Sequence, residues 1–406
     1  MLKTVCQNII SRMGAELKKT PDARKEIPLE WAKNTLKCFE GNQPVCWMGF
    51  NSPVEIPMAL GYKLFYPELA VGMLAGFNLS ADLVEIAEKK FSNLFCCTFH
   101  RCSLAAATEG FWPRPTAILG TSNICDGQVK MLSILADKIG IKPVILEVPS
   151  GIDEKNIDFL RQQLKTAIKH LEDSIGLKLT DEKFIESIRI SNQSRKSLIR
   201  LNELRKHRPS PFHGARAINS LYLLVTQLWG LPIVPDLLEK LSRQIEENEQ
   251  NGKISDEKFR LLAMIPPPTF KTDIYNWLEK EMGAHIVMGE LTDVVWEEID
   301  EQNPLRGLAD KIISQPMCGT NEGRIDWALN MVRDYQLDGV IHFSHWGCRQ
   351  STGGVGILDV KLEEIGAPLL NLDIDLVDPR SFSAGQIYTR IQGFIEMLSQ
   401  RKEEES

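Results

Sequence analysis

The chain has 406 residues, 43% of them apolar and 25% charged, with a formal net charge of −7. That is the composition of a folded globular protein long enough for two or three domains. The acidic balance leaves no basic excess to neutralise phosphates, which excludes a general nucleic-acid binder. No apolar run reaches the ~18–20 residues that cross a bilayer, which excludes a membrane-spanning chain.

Residues 1–44 read as an N-terminal helical segment closed by the turn Gly41-Asn42-Gln43-Pro44. Charges interrupt every apolar stretch of this opening and no signal-peptide core is present, so a cytoplasmic location is expected. From Val45 the texture changes to short apolar runs that alternate with helical patterns. Strands are expected at 45–50, 62–67, 94–99, 116–122 and 142–149, with helices near 53–60, 80–91 and 126–139. Runs of this length separated by helices predict a parallel sheet buried on both faces, in a first α/β domain spanning 45–155. Residues 156–255 are rich in Lys, Glu, Gln, Arg and Leu at helical spacing and read as a helical linker or cap. The α/β texture returns over 256–406. Strands are expected at 259–265, 285–290, 338–344 and 368–375, and a helix over 272–283 is closed by Gly283. Further helices fall near 305–314, 322–336, 354–365 and 385–400. The predicted fold class is α/β, with two Rossmann-like (flavodoxin-like) parallel-sheet domains joined by a helical region.

Nine cysteines in a chain without a secretion signal do not read as a disulfide framework. Cys6, Cys38 and Cys46 read as small buried hydrophobes. Others fall where a site is expected, because ligands in open parallel sheets bind beyond the carboxyl ends of strands. Cys125 follows the run TAILGTSNI, and Cys348 follows DGVIHFSHWG. Cys96 and Cys97 close the run LFCC, with Cys102 five residues beyond Cys97. No C-x-x-C pair exists, so a metal site would be assembled from distant segments. Thiolates suit iron–sulfur clusters or zinc, and a purely structural role stays open. His342 and His345 lie beside Cys348 and suit hydrogen bonding or proton transfer. Ser52, Pro53 and Glu55 read as N-cap, N1 and N3 of a capping box, which does not preclude a catalytic role. Neither GxxxxGK[ST] nor GxGxxG occurs, so no P-loop or dinucleotide fingerprint is present.

Four segments together resemble the catalytic component of the 2-hydroxyacyl-CoA dehydratases, a family that also contains benzoyl-CoA reductase subunits. They are GFNSPVEIPMALGYKLFYPE (49–68), CTFHR (97–101), NICDGQVKM (123–131), and the closing region LDGVIHFSHWGCRQ (337–350) with LLNLDIDLVDPRSFSAGQIYTRIQGFIEML (369–398). Some subunits of that family carry a cysteine four residues before the proline of the Pro-x-Glu segment, where this chain has Gly49. The pattern resembles the substrate-binding, alpha-type subunit. The resemblance implies a [4Fe-4S] cluster held by Cys97, Cys125 and Cys348, with Cys96 or Cys102 as substitutes for Cys97. It implies elimination of water from an (R)-2-hydroxyacyl-CoA to give a 2-enoyl-CoA through a ketyl radical anion. Glu55, with Ser52 as its hydrogen-bonding neighbour, and His345 are the expected catalytic groups. Arg101, Arg349 and Lys130 are expected to balance charge or meet the CoA phosphates. Implied partners are a homologous second subunit and a transient ATP-hydrolysing activator protein. Competing readings are a benzoyl-CoA reductase subunit, a double-cubane reductase, a non-catalytic electron-relay subunit, and a cluster-free α/β binding protein.

Overall fold

Two parallel sheets with the same strand order organise the chain, as seen in a computed structural model that describes residues 1–91, 96–252 and 256–404. In the first sheet β1 (Val45–Met48), β2 (Lys63–Phe65), β3 (Ala117–Thr121) and β4 (Val144–Leu146) run in the order β2-β1-β3-β4. In the second, β5 (Phe259–Met264), β6 (Ala284–Gly289), β7 (Gly339–His345) and β8 (Leu369–Ile374) run β6-β5-β7-β8. Every pairing is parallel. β1, β3, β5, β6 and β7 are buried along their whole length, as parallel strands covered on both faces must be. In each sheet the chain lays its second strand to one side of the first and its third to the other. The crevice of each sheet therefore opens at the carboxyl ends of β1 and β3, and of β5 and β7.

Eight of the nine expected strands coincide with these elements. The exception is 94–99. Leu94 and Phe95 lie outside the described residues, and Thr98 and Phe99 begin the helix Thr98–Thr108, with Cys97 as its N-cap. A six-residue apolar run carries no periodicity that separates strand from helix. Here the run Leu104-Ala105-Ala106-Ala107 continues a strong helix former.

The helical region comprises Glu154–Ile175, Asp181–Leu204, Gly214–Leu223 and Val234–Gln250, with a π-turn at Leu224–Leu228. Asp153 and Thr180 cap the first two by accepting from the N–H groups of Asn156 and Lys183. Ile157, Leu160, Leu164, Ala167 and Leu171 form the buried stripe of the first helix, at the three- and four-residue spacing of one helix face. These helices and the two N-terminal ones, Leu2–Leu17 and Ala23–Lys37, pack into one core with the first sheet. The second sheet has a core on each face. One helix crosses over: Pro304–Ile313 lies between β6 and β7 in sequence but gives Leu308, Ala309, Ile312 and Ile313 to the first core. No helix among the described residues is long and apolar enough to cross a membrane.

Candidate functional site

The equal strand orders relate two of the expected cysteines. Cys125 follows β3, the third strand of its sheet, and Cys348 follows β7, the third strand of the other. Each is the N-cap of the next helix, Asp126–Ile139 and Arg349–Thr352, and Cys97 is the N-cap of Thr98–Thr108. A helix start offers unpaired N–H groups and the positive end of the helix dipole, both of which favour a thiolate. The N–H groups of Gln128 and Gly127 act in that sense on Cys125, as the N–H of His100 does on Cys97.

Burial opposes them. It pushes the Cys97 thiol well above its ordinary range and Cys125 up to about 12. Like charge adds to the effect: Cys348 and Cys125 both raise Cys97, and Cys348 raises Cys125. The three sulfurs are thus within electrostatic reach of one another. The alternatives are placed differently. Cys96 is lowered first by its hydrogen bond to His100, and Cys102 is raised by burial, with Arg101, Asp375, Asp378 and Arg380 as the charges around it. Cys102 is also fully buried in the first core. Among the described residues no three His, Cys, Asp or Glu side chains gather closely enough to hold one metal ion.

His345, at the carboxyl end of β7, joins this group. Its Nδ1 accepts from the Leu376 N–H at 3.1 Å, so the ring proton lies on Nε2, 3.3 Å from the Cys97 sulfur. Burial lowers the pKa of His345 against the upward pull of Asp375, which keeps the ring neutral. Phe99 meets the same ring edge-on, with centroids 5.4 Å apart. Asp375 in turn accepts from Thr98 and from the N–H groups of Val377 and Asp378.

His342 is held away from the sulfurs. Its Nε2 lies 3.1 Å from Arg324 and its Nδ1 3.2 Å from Asn371. Burial and then the Arg324 charge depress its pKa to about 4. Arg324 forms a buried two-point pair with Glu290 at 2.5 and 3.0 Å and donates to the carbonyls of Ser351 and Gln350, bracing the helix that follows Cys348. Glu290 also accepts from the N–H of Ile265. Ile265 sits at the end of β5 with φ 60°, a conformation a β-branched residue adopts only under constraint.

The other expected residues are placed as follows. The capping box does not form. Val54 is the N-cap of Glu55–Ala59, and Ser52 donates instead to the carbonyl of Leu119 at 3.3 Å. Nor is Ser52 the neighbour of Glu55. The Glu55 carboxylate is fully buried and accepts from Ser191 and Lys311, each at 2.5 Å. Sequence could not show either partner, since both lie on distant helices. Arg101 is buried and committed to the Cys96 carbonyl and the Thr98 hydroxyl, at the start of the helix capped by Cys97. Arg349 is exposed and pairs with Asp126, joining the residue after Cys348 to the residue after Cys125. Lys130 is exposed, one turn beyond Asp126.

Glu68 carried no expected role. Its carboxylate is 22% exposed and lies 3.4 Å from Nε2 of the buried His100. Burial would lower His100, but Glu68 and then Cys96 raise it to about 10. Glu68 is also the first charge acting on both Cys97 and Cys125. At Gly127 an added Cβ would press on the His100 ring at 2.9 Å and approach the Cys125 sulfur at 3.4 Å, so a glycine keeps these groups together. At Gly49 an added Cβ would overlap the buried Gln128 side chain and meet the Gly120 Cα at 3.1 Å.

The family described as "2-hydroxyglutaryl-CoA dehydratase, D-component" matches residues 50–398. The chain belongs to this family. Relatives include the (R)-phenyllactyl-CoA dehydratase alpha subunit of Clostridium sporogenes, 29% identical over 404 residues, covering 96% of this chain and 98% of that one. The lactoyl-CoA dehydratase subunit alpha of Anaerotignum propionicum is 25% identical over 392 residues, covering 87% and 90%. A benzoyl-CoA reductase subunit of Thauera aromatica is 25% identical over 356 residues, covering 80% and 81%. The match runs from within the first of the four motif segments to the end of the last, the whole span over which the resemblance was expected.

Proposed function

We propose that the chain is the alpha-type, substrate-binding subunit of an (R)-2-hydroxyacyl-CoA dehydratase that eliminates water to give a 2-enoyl-CoA. A [4Fe-4S] cluster would be held by Cys97, Cys125 and Cys348. The observation that supports the reading is that Cys97, Cys125 and Cys348 each occupy a helix N-cap position, with Cys348 and Cys125 raising the thiol of Cys97 and Cys348 raising that of Cys125. Such a group, bound by three thiolates, supplies an open Lewis-acidic iron and a single electron for ketyl-radical chemistry at the thioester carbonyl.

The chain's own residues have separable tasks. His345 keeps its Nε2 proton on the Cys97 sulfur and orients that ligand. Glu68, a partly exposed carboxylate that acts on both Cys97 and Cys125, takes the β-proton, with His100 holding it in place. Glu55, sealed against Lys311 and Ser191, positions the segment after β1 instead of exchanging protons. Arg101 fixes the Cys97 helix start. Arg349, exposed beside Cys348, is placed to meet a CoA phosphate.

As the family resemblance implies, the electron would come from a separate ATP-hydrolysing activator, this sequence having no P-loop motif of its own. A homologous second subunit would complete the enzyme, and two exposed aliphatic residues are candidate contacts for it. Ile357 and Val360, both more than half exposed, lie one turn apart on the helix Val355–Glu363, which follows Cys348 in the chain. Anaerobic reconstitution tests the assignment. The purified chain should bind about four iron and four sulfide, and with its partner and activator it should dehydrate a 2-hydroxyacyl-CoA. A chain that binds neither iron nor sulfide under those conditions refutes the reading.

A further inference from the structure

The two loops that carry Cys125 and Cys348 are tied to the same short turn. Asn123, two residues before Cys125, donates from its side-chain amide to the Cys318 carbonyl at 2.6 Å. Gln350, two residues after Cys348, donates from its side-chain amide to the Met317 carbonyl, also at 2.6 Å. Met317 and Cys318 are neighbours in the 3-10 turn Pro316–Cys318. Amides from the loops after β3 and β7 therefore end on consecutive residues of one turn, whose Cα atoms lie ~3.8 Å apart.

The turn is itself held in place. The Cys318 N–H closes it by donating to the Gln315 carbonyl at 2.8 Å, and Met317 and Cys318 are buried. Asn51, in the loop after β1, donates to the Cys318 sulfur at 3.1 Å and to the Ile312 carbonyl at 3.2 Å. Its backbone is left-handed, with φ 63°, a conformation that asparagine tolerates better than most residues. Gln350 is fixed at its other end, where its carbonyl accepts from Arg324 at 3.4 Å. At Gly354 an added Cβ would lie 2.7 Å from Oδ1 of Asn321, so the helix that follows the turn packs directly on the segment after Cys348. The Asp126–Arg349 pair spans the same two loops, but it is exposed, and salt screens it. The two amide bonds are part-buried and carry no charge to screen.

We propose that the turn Pro316–Cys318 is a clamp that fixes the spacing of Cys125 and Cys348, with Asn123 and Gln350 as its positioning residues. The inference rests on the cluster reading for its purpose but not for its test. In the metal-free chain a short bis-maleimide links neighbouring thiols, and peptide mapping identifies the Cys125–Cys348 product. Both thiols are partly exposed and open to the reagent. Asn123→Leu/Gln350→Met removes both donors without adding charge. It should slow this linking about fivefold or more, because two hydrogen bonds are lost. A role confined to stability would lower the urea midpoint and leave linking in the folded variant unchanged, which overturns the clamp. In the parent chain linking should be indifferent to salt. A fall at high salt would hand the role to Asp126–Arg349 and overturn the clamp as well. Should the double variant fail to fold, Gln350→Met alone, at a half-buried position, makes the same prediction. Cys318→Ala keeps both carbonyls and should link and bind iron as the parent does. Loss of iron there would make Cys318 a ligand and overturn the clamp. After anaerobic reconstitution the variant without donors should release iron to a chelator faster by a similar factor and give a broadened electron paramagnetic resonance signal on reduction. Unaltered release and signal overturn the clamp. A parent chain that binds no iron counts against the functional reading alone, and the linking rates still judge the clamp.

Discussion

Replacing Lys311 by methionine should destabilise the chain by about 3 kcal/mol, and replacing Glu55 as well should recover most of that loss. Glu55 is fully buried and the Lys311 side chain is 13% exposed, so the pair is interior. The ammonium also lies 5.1 Å from the Trp296 ring and 5.9 Å from that of Trp229. Removing one member of a buried pair leaves the other charge without compensation, which typically costs 3–5 kcal/mol. The residual access of Lys311 to water and the surviving Ser191 donor place the cost near the lower bound, at about 3 kcal/mol. In Glu55→Gln/Lys311→Met the stranded charge is gone and a loss of about 1 kcal/mol remains; with Glu55→Gln alone costing about 1 kcal/mol, since Lys311 keeps some access to water, the coupling comes to about 3 kcal/mol. Urea unfolding of the four proteins in the double-mutant cycle measures it. The same proteins decide what Glu55 does. If it only positions the segment after β1, the folded double variant turns over within about tenfold of wild type, whereas loss of a general base costs ~100-fold or more. A coupling below 0.5 kcal/mol, or a folded Glu55→Gln with turnover lost by that larger factor, would refute the reasoning and return Glu55 to the proton path.

Three further outcomes are expected. Single alanine variants of Cys97, Cys125 and Cys348 should each lose bound iron and sulfide after anaerobic reconstitution, while Cys102→Ala retains them. Retention by Cys97→Ala with loss by Cys96→Ala would reassign the ligand. Gly49→Cys should not add a ligand, because Gln128 and the Gly120 backbone occupy its side-chain space. It should instead lower stability by about 1–3 kcal/mol, as overpacking does, with iron content unchanged. Glu257 supplies a pH test. Burial would raise its pKa, but His285, the Ser210 N–H and Arg260 together bring it from the ordinary 4.5 to about 2. A depressed carboxylate stabilises the fold above its unfolded value, and that stability is lost as pH falls from 4.5 through about 2. The difference is worth about 3 kcal/mol. Glu257→Gln should therefore be less stable at pH 7 and show a flatter decline in acid-titrated unfolding.

Most strands were legible because a parallel strand covered on both faces is built on an unbroken apolar run, and 45–48, 117–119 and 261–264 are such runs. The same property made 94–99 ambiguous, since a short apolar run looks alike in a strand and at a helix start. Cys125 and Cys348 could be placed because both follow strands whose ends the sequence marks. Cys97 owes its position to a helix that reads poorly until the N-cap is seen. The supporting pairs were out of reach. Lys311–Glu55 are 256 residues apart and Arg324–Glu290 are 34 apart, and no local spacing joins them. His100–Glu68 was missed for a related reason. Both residues fall inside the motif segments, but their contact needs the helices Pro67–Gly76 and Thr98–Thr108 to pack side by side.

The equal strand orders explain why such scattered cysteines can act together. A sheet of order β2-β1-β3-β4 presents the loops after its first and third strands at the mouth of its crevice, and this chain builds that arrangement twice. Facing two such mouths brings Cys125 and Cys348 to one place although 223 residues separate the flanking pair Asp126 and Arg349. What holds the halves in that relation is interior packing, not the exposed Asp126–Arg349 pair, since an ion pair so open to water contributes little. The helix Pro304–Ile313 leaves the second sheet to bury four apolar residues in the first core and carries Lys311 to Glu55. On the β1 side, Asn51 donates to the Ile312 carbonyl, at the end of that same helix, and to the Cys318 sulfur. A crossed-over helix and its buried pair thus tie the second sheet's half to the first. A change at Glu55 or Lys311 can therefore reach the sulfurs without either residue touching them.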